Sequence, residues 1–473
     1  MPSFYHLIKY FILAVSLSCA PRLELESMYE DIQYPEDWSN PIQTNENIAS
    51  NWWEAFNDTL LIEYITLFFS DAPEYIMMDE RLTSAYYLAK INGANIFPTA
   101  AMTASGSKTQ QNAANFSFLS DFLPPGISLD GAFDPTESYN LNFSSQWEVD
   151  LWGRLISERK AAKADWKSNQ NDLLYAKLSL VSQLSKLYFS VVEANMQKDL
   201  ALSNLEIAIS IAELVEKRYL KGTKTSLDFR LAESSEARAK ALYESRKTIY
   251  SNLVTELEVL LGKYPSSALP VAKTLLIDMP DLPKRIPADI IDSRPDIIGS
   301  KYNLFSAGFR YQQAKKNLLP SISLTAGSGI STNLLEDLIN RDFSIWNLGA
   351  NFLLPIFQGG KLRSNMKLTN SQLEQAKLNY LKSILNAFKE VEQGLNIEQS
   401  IDAQIEALEV AEQQAKAGFD LASQRYNSGV SDLITVLNSQ KQYHDTYSQL
   451  ISTYKQRIDT RVNLILALGV NYL

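Results

Sequence analysis

From Tyr139 to Leu151 the chain sets Tyr139, Leu141, Phe143, Trp147, Val149 and Leu151 against Asn140, Asn142, Ser144, Gln146, Glu148 and Asp150. A period of two is the pattern of a β-strand with one apolar and one wet face. Trp346 to Phe357 has the same character, with Trp346, Leu348, Ala350, Phe352 and Leu354 against Asn347, Gly349 and Asn351. Two weaker strands are expected ahead of these, at Phe97–Gln110 and Leu319–Ser331, each opened by a proline, Pro98 and Pro320. Loops Asn112–Glu137, containing Pro124-Pro125-Gly126, and Thr332–Ile345 would join the members of each pair.

After each strand pair the period changes. Leu174, Leu178, Val181, Ser185, Tyr188, Val192 and Asn195 step alternately by four and three, and Leu373, Ala376, Tyr380, Ala387 and Val391 keep a similar seam. That spacing marks helices packed along one another in coiled-coil fashion. No proline occurs between Thr136 and Tyr264, or between Ile356 and Leu473. Since proline costs about 3 kcal/mol inside a helix, such stretches permit very long ones. Breaks at Gly153, Gly222 and Gly262 predict a helix from Arg154 to Lys221 and a partner of about 40 residues after it. At ~1.5 Å per residue the longer would reach on the order of 100 Å.

The whole arrangement occurs twice. Arg218-Tyr219 with Gly222 recurs 207 residues later as Arg425-Tyr426 with Gly429. The same offset carries Gly153-Arg154-Leu155 onto Gly360-Lys361-Leu362 and Leu261-Gly262 onto Leu468-Gly469. One period held over so many positions is a tandem duplication. Gly222 and Gly429 are expected where each long helix reverses, since glycine takes a left-handed backbone most easily.

Charge and composition remove other classes. The 473 residues carry a formal net charge of −10, against nucleic acid, whose phosphates call for a basic surface. No run of 18 apolar residues exists for a spanning helix. Residues 1–18, with Lys9 ahead of the apolar stretch Tyr10–Leu17, read as an export signal. The lone cysteine, Cys19, follows directly and is the expected lipidation site, although Ser16 stands where lipoprotein signals usually carry leucine; an unmodified cysteine is the alternative. Two histidines, His6 and His444, give no metal site, and His444 beside Asp445 reads as a helix-surface pair. No nucleotide-binding glycine loop sits in a strand–turn–helix setting, so neither enzyme nor cofactor is expected.

Four strands with a wet face bearing Glu148, Asp150 and several Asn and Gln suit a transmembrane barrel around water. A soluble sheet resting on a core is the other reading. Four strands cannot close alone in hydrocarbon, where unpaired edge amides cost several kcal/mol each. Several copies must then share one barrel: two would give eight strands, three would give twelve and leave room for water.

Trp147-Glu148-Val149-Asp150-Leu151-Trp152-Gly153-Arg154, Arg294-Pro295-Asp296-Ile297 after Leu282-Pro283 and Ile286-Pro287, Leu319-Pro320-Ser321-Ile322, Pro355-Ile356-Phe357-Gln358-Gly359-Gly360, and Cys19 with Pro21 form a set. Together they resemble the TolC/OprM family of outer-membrane efflux and secretion channels, most closely its lipoprotein (NodT-like) branch. Trp52-Trp53 resembles the family's motif before its first short helices, with a core role. The resemblance implies a mainly α chain with a small β part, assembled as a homotrimer with an α-barrel and a shared 12-stranded transmembrane β-barrel. The expected segments are a signal peptide (1–18), an N-terminal segment with short helices (19–96) and a first strand pair (97–152). A first helical hairpin (153–264), a linker (265–318), a second strand pair (319–357) and a second hairpin (358–473) follow.

In such a protein Arg218, Tyr219, Gly222, Arg425, Tyr426 and Gly429 would form the periplasmic tip where an adaptor (membrane fusion) protein docks. TolC-like channels often place acids six and nine positions after the second tip glycine. Here those positions are Thr435 and Asn438, with Asp432 the nearest acid, so the entrance constriction would comprise Asp432, Thr435 and Asn438 without being strongly cation-blocked. Three copies of Asp432 forming a charged ring, or Asp432 as a solvated tip residue, are the two readings of that acid. The implied role is the outer-membrane exit of a tripartite efflux system, working with an inner-membrane transporter of the RND type and touching outer-membrane lipid. Type I protein secretion, or a structural periplasmic coiled coil, are the alternatives.

Overall fold

In the computed structural model, residues 35–40, 51–110, 135–275, 279–280, 282 and 285–469 are described. The export segment, Cys19 and Pro124-Pro125-Gly126 lie outside them. The elements run α1 (Thr59–Asp71), α2 (Pro73–Asn92), β1 (Thr99–Thr109), β2 (Thr136–Val149), α3 (Arg154–Leu220), α4 (Ser226–Leu260), α5 (Pro287–Ser293) and α6 (Pro295–Lys316). They continue with β3 (Ser321–Thr332), β4 (Ser344–Leu353), α7 (Lys361–Asn427) and α8 (Leu433–Ala467). The long helices α3 and α7 both have 67 residues and the return helices α4 and α8 both have 35, so the duplication holds in structure. The chain divides into two compact units. Among the described residues, one comprises those within 86–166 and 303–377; the other comprises those within 35–85, 167–302 and 378–469.

The first unit holds one antiparallel sheet in the order β1-β2-β3-β4. Its register settles which side chains share a face. Met102 pairs with Phe143, Phe143 with Ser328, and Ser328 with Trp346; Trp147 pairs with Leu324, and Leu324 with Ala350. Directly paired residues point the same way. One face therefore collects Met102, Leu141, Phe143, Trp147, Ile322, Leu324, Ile330, Trp346, Leu348 and Phe352. The other collects Thr103, Asn140, Asn142, Ser144, Gln146, Ser323, Thr325, Asn347 and Asn351. Met102 is 69% exposed, Trp346 77% and Leu348 76%, so no core among the described residues covers the apolar face. A soluble sheet would have buried it.

Strand ends differ from the expected ones. β4 begins at Ser344 and stops at Leu353, not Phe357. Ser344 and Ile345 find partners in Ile330 and Gly329, whereas Pro355 has no N–H to continue the ladder. The β3–β4 connection contains two short 3₁₀ turns, Leu335–Ile339 and Arg341–Phe343.

In the second unit, α3 buries a wider stripe than the expected seam. Besides Leu178, Val181, Ser185, Tyr188 and Val192, it buries Leu184, Phe189, Val191 and Ala194, while Leu174 and Asn195 stay half-buried. The cause is packing on two sides. Phe189 meets Phe56 edge-on at 5.1 Å, and the Tyr188 hydroxyl donates to Asp58 at 2.7 Å. On another side Gln197 and Ser448 of α8 exchange hydrogen bonds of 2.9 and 2.8 Å. Asp58 also caps α1 by accepting from Leu60 and Leu61. Trp52 and Trp53 lie in this core.

Arg294 explains the Arg-Pro-Asp segment. Pro295 ends the short α5, and the Arg294 side chain, only 2% exposed, turns back under the unit. It donates to Asp296 at 2.7 and 2.9 Å, pairs with Glu390 at 2.8 Å and holds the Ala467 carbonyl at 3.1 Å. This clamps the last turn of α8 onto α6 and α7. Gly469 lets that turn in, because a Cβ there would stand 2.9 Å from Arg294 Cγ.

Candidate functional site: the hairpin tips and the groove behind them

Each long helix ends by the same device. The Gly222 N–H donates to Tyr219 O at 2.8 Å and Thr223 N–H to Arg218 O at 2.9 Å; Gly429 donates to Tyr426 O at 3.0 Å and Val430 to Arg425 O at 2.8 Å. These are paired Schellman closures, which need a left-handed residue at the turn. Gly222 at φ +72° and Gly429 at φ +77° supply it. Three residues on, each return helix is capped. Thr225 accepts from the Asp228 N–H while Asp228 returns a bond to the Thr225 N–H, both 3.2 Å. At the duplicated positions the residue types are swapped: Asp432 accepts from the Thr435 N–H at 2.7 Å. Asp432 is thus a helix cap, and its hydrogen bonds with Thr435 hold its carboxyl below the usual range. Asp432, Thr435 and Asn438 are all exposed along one side of α8.

The two Arg-Tyr pairs do different work. Arg218 reaches across to the second hairpin, donating to the Tyr426 and Asn427 carbonyls at 3.1 and 3.0 Å, with its guanidinium 5.0 Å from the Tyr426 ring. Tyr426 is 2% exposed and sits in a core with Val215, Phe419, Leu433 and Val436. Its hydroxyl is buried without a hydrogen-bond partner, and burial raises its pKa. Their duplicates face outward: Arg425 is exposed, and Tyr219 stacks on Phe229 at 5.2 Å. Exposed Leu220, Leu227, Val430 and Ile434 add an apolar rim.

Behind the tips, α4 and α8 flank a groove of about 510 Å³, lined by Ser235, Arg238, Leu242, Asn438, Lys441 and His444 among others. Here one sequence reading needs correction. His444 Nδ1 does lie 3.9 Å from Asp445, but its side chain is only 13% exposed, so it is not a surface group. Lys441 makes a closer ion pair with the same carboxylate. His444 Nε2 is buried and without a partner. Burial lowers the His444 pKa, with Arg246 and Lys441 pushing the same way and Asp445 opposing them. No group of three or more metal-binding side chains occurs among the described residues.

Sequence reasoning placed the tip glycines but missed the caps, the Arg218 clamp and the groove. Thr225-x-x-Asp228 after a glycine is a legible capping signal. The clamp left none, because Arg218 and Arg425 are the same residue in the same local context.

A sheet with one wet and one lipid-like face and two open edges, joined to paired long helical hairpins, defines a channel subunit of the outer membrane. The chain belongs to the family described as outer membrane efflux protein, whose profile matches residues 76–263 and 286–470, one stretch for each half of the duplication. It is 28% identical over 420 residues to the solvent efflux pump outer membrane protein SrpC of Pseudomonas putida, covering 88% of this chain and 86% of that protein. It is also 28% identical over 421 residues to the pyoverdine export outer membrane protein OpmQ of Pseudomonas aeruginosa, with the same coverage. The fold matches the Campylobacter jejuni CmeC outer membrane channel with a TM-score of 0.82 at 23% identity, over 95% of this chain and 94% of that one. The open Neisseria gonorrhoeae MtrE channel matches with a TM-score of 0.76 at 22% identity, over 96% and 98%. The chain is an outer-membrane efflux channel protein, with the mainly helical, internally duplicated fold and four-stranded β part that its sequence resembles.

Proposed function

We propose that three copies pool their strands into one water-filled barrel, and that the hairpin tips meet a periplasmic adaptor fed by an inner-membrane transporter of the RND type. The observation that carries this reading is the four-stranded sheet with an uncovered apolar face and two unpaired edges. In hydrocarbon such edges are tolerable only when a neighbouring copy completes the ladder. Small organic molecules are the cargo, as the names of the relatives suggest for solvents and pyoverdine. The adaptor's place is the α4–α8 groove and the apolar tip rim, where Arg238, which forms no ion pair among the described residues, suits a helical hairpin carrying carboxylates. Arg218 holds the two turns of one protomer together and so keeps the entrance narrow at rest. Cys19 carries a lipid anchor, which mass spectrometry of the mature N-terminus would read directly.

The test is the mass of the detergent-extracted protein by native mass spectrometry, combined with planar-bilayer conductance. A three-chain particle with discrete conductance steps is the expected result. A monomer, or a trimer that never conducts, would overturn the reading.

A further inference from the structure

Within the strand-bearing unit a cleft of about 480 Å³ opens beside the end of α2 and the start of α3, lined by Tyr86, Lys90, Phe97, Arg159, Lys163 and Trp166. It contains three cations and no acid. Lys90 Nζ lies 4.7 Å from the Tyr86 ring and the Arg159 guanidinium 5.6 Å from that of Phe97. None of the three forms an ion pair among the described residues.

The nearby carboxylates are engaged elsewhere. Glu158 accepts from Asn95 at 2.8 Å and Gln313 at 2.9 Å, and Asp165 pairs with Arg310 at 2.6 Å. Elsewhere in the unit Arg154 pairs with Glu148 at 2.8 Å and Lys108 with Glu137 at 2.8 Å. The Trp166 Nε1–H is buried with no acceptor among the described residues. Three positive charges, one unsatisfied N–H donor and three aromatic rings in one lining suit an anion with acceptor oxygens and an apolar body.

Place narrows the choice. Phe97 stands two residues before β1, and Trp147 of β2 donates to the Ile96 carbonyl at 3.1 Å. The cleft therefore lies where the strands give way to helices, the level at which aromatic and basic side chains meet lipid headgroups. Gly93 lets α2 close onto Arg159, since a Cβ there would meet Arg159 Cγ at 3.1 Å.

We infer that this cleft binds the phosphate headgroup of an anionic phospholipid from the periplasmic leaflet of the outer membrane. Lys90, Arg159 and Lys163 hold the phosphate oxygens, Trp166 supplies a directed N–H, and Tyr86 and Phe97 receive the glycerol and first acyl carbons. The inference rests on the outer-membrane placement of the strands and not on cargo or adaptor.

The test uses the full-length protein extracted from membranes, delipidated, and titrated with phosphatidylglycerol or phosphatidylcholine in native mass spectrometry. Wild type is expected to retain phosphatidylglycerol in preference. Each neutralised cation should weaken retention about fivefold, and K90Q/R159Q/K163Q together on the order of a hundredfold. W166F should lower it several-fold with charge unchanged, while K160Q/K315Q, on the same unit but outside the cleft, should leave it alone. Equal retention of both lipids, or undiminished phosphatidylglycerol binding by the triple variant, would overturn the inference. So would inorganic phosphate displacing the lipid completely at equal concentration, which would leave an anion site with no lipid component. Bilayer conductance of the triple variant should stay at the wild-type value, so failure here is separable from failure of the channel reading.

Discussion

Asn347 and Leu348 are adjacent on β4 but belong to opposite faces, so they offer a paired test of which face meets lipid. Leu348 is the fifth of ten residues in the strand and sits opposite Ala326. Its neighbours across the sheet are small, and its side chain is 76% exposed in the single chain. Asn347 sits opposite Gly327 on the face that collects Thr, Ser, Asn and Gln. If the apolar face lies in hydrocarbon, Leu348→Arg places a guanidinium near mid-depth, at about 2–4 kcal/mol per copy. Three copies around one barrel would total roughly 6–12 kcal/mol, comparable with the entire stability of many domains. Asn347→Arg points into water and should cost close to nothing.

The assay is the yield of trimer in outer-membrane fractions, with the temperature of trimer dissociation on semi-native gels as a second readout. L348R should lose most of its assembled trimer and dissociate at markedly lower temperature, while N347R assembles normally with altered conductance. Similar behaviour of the two variants would refute the assignment of faces, and with it the barrel. A soluble sheet packed on a partner protein would give the reverse sensitivity to detergent and none to lipid.

Arg218→Ala removes two bonds to carbonyls and a cation–π contact, and should widen the resting entrance, raising single-channel conductance. Arg425→Ala, its exposed duplicate, should not; equal effects would show that the clamp is no latch. Asp432→Asn keeps a side-chain acceptor at the cap and removes the charge, whereas Asp432→Ala removes both. If Asp432 acts at the entrance through charge, both change conductance; if it acts only as a cap, only Asp432→Ala does, with faster hydrogen exchange in the first turn of α8. Because the Asp432 pKa is depressed, its stabilisation is complete above the unfolded carboxylate value of about 3.9 and is lost only as pH falls below that. His444 has the opposite ionic logic with the same sign. Its lowered pKa means the neutral form is favoured in the fold, so stability is complete above about 6.5 and declines as pH falls through that value. Thermal melts between pH 7.5 and 5 should show the decline in wild type and not in His444→Gln; parallel curves would show that His444 is not its source.

What the sequence made legible was whatever a short period or a single residue type dictates. Alternation located β2 and β4, because a sheet between lipid and water cannot tolerate a slip that exchanges its faces, whereas β1 and β3 were the weaker candidates opened by Pro98 and Pro320. It misplaced the end of β4, since Leu354 and Ile356 prolong the pattern but Pro355 cannot prolong the ladder. The helical seam of α3 was read as a coiled-coil stripe stepping by four and three. The structure shows a helix covered from two directions, by Phe56 and Asp58 on one and Ser448 on another. Those partners lie more than a hundred residues away in sequence, and no local period encodes them. Arg294 is the extreme case, a polar residue made a keystone by Asp296, Glu390 and the Ala467 carbonyl.

The tip shows how a duplicated sequence comes to hold unequal parts. Backbone closure demands the same glycine twice, so Gly222 and Gly429 match. Capping demands only an acceptor before the helix, which either a hydroxyl or a carboxylate supplies. Thr225-x-x-Asp228 and Asp432-x-x-Thr435 therefore satisfy one requirement with the charge at different ends. Side-chain packing has still less reason to repeat, because each hairpin has the other as its neighbour and they cannot both reach across the same gap. Once Arg218 takes the carbonyls of Tyr426 and Asn427, Tyr426 is drawn under it and Arg425 is left to solvent. Breaking that bond set frees the second hairpin's turn while both Schellman closures stay intact. An entrance built this way can move its hairpins as rigid pieces, and the Arg218→Ala and Arg425→Ala pair measures whether it does.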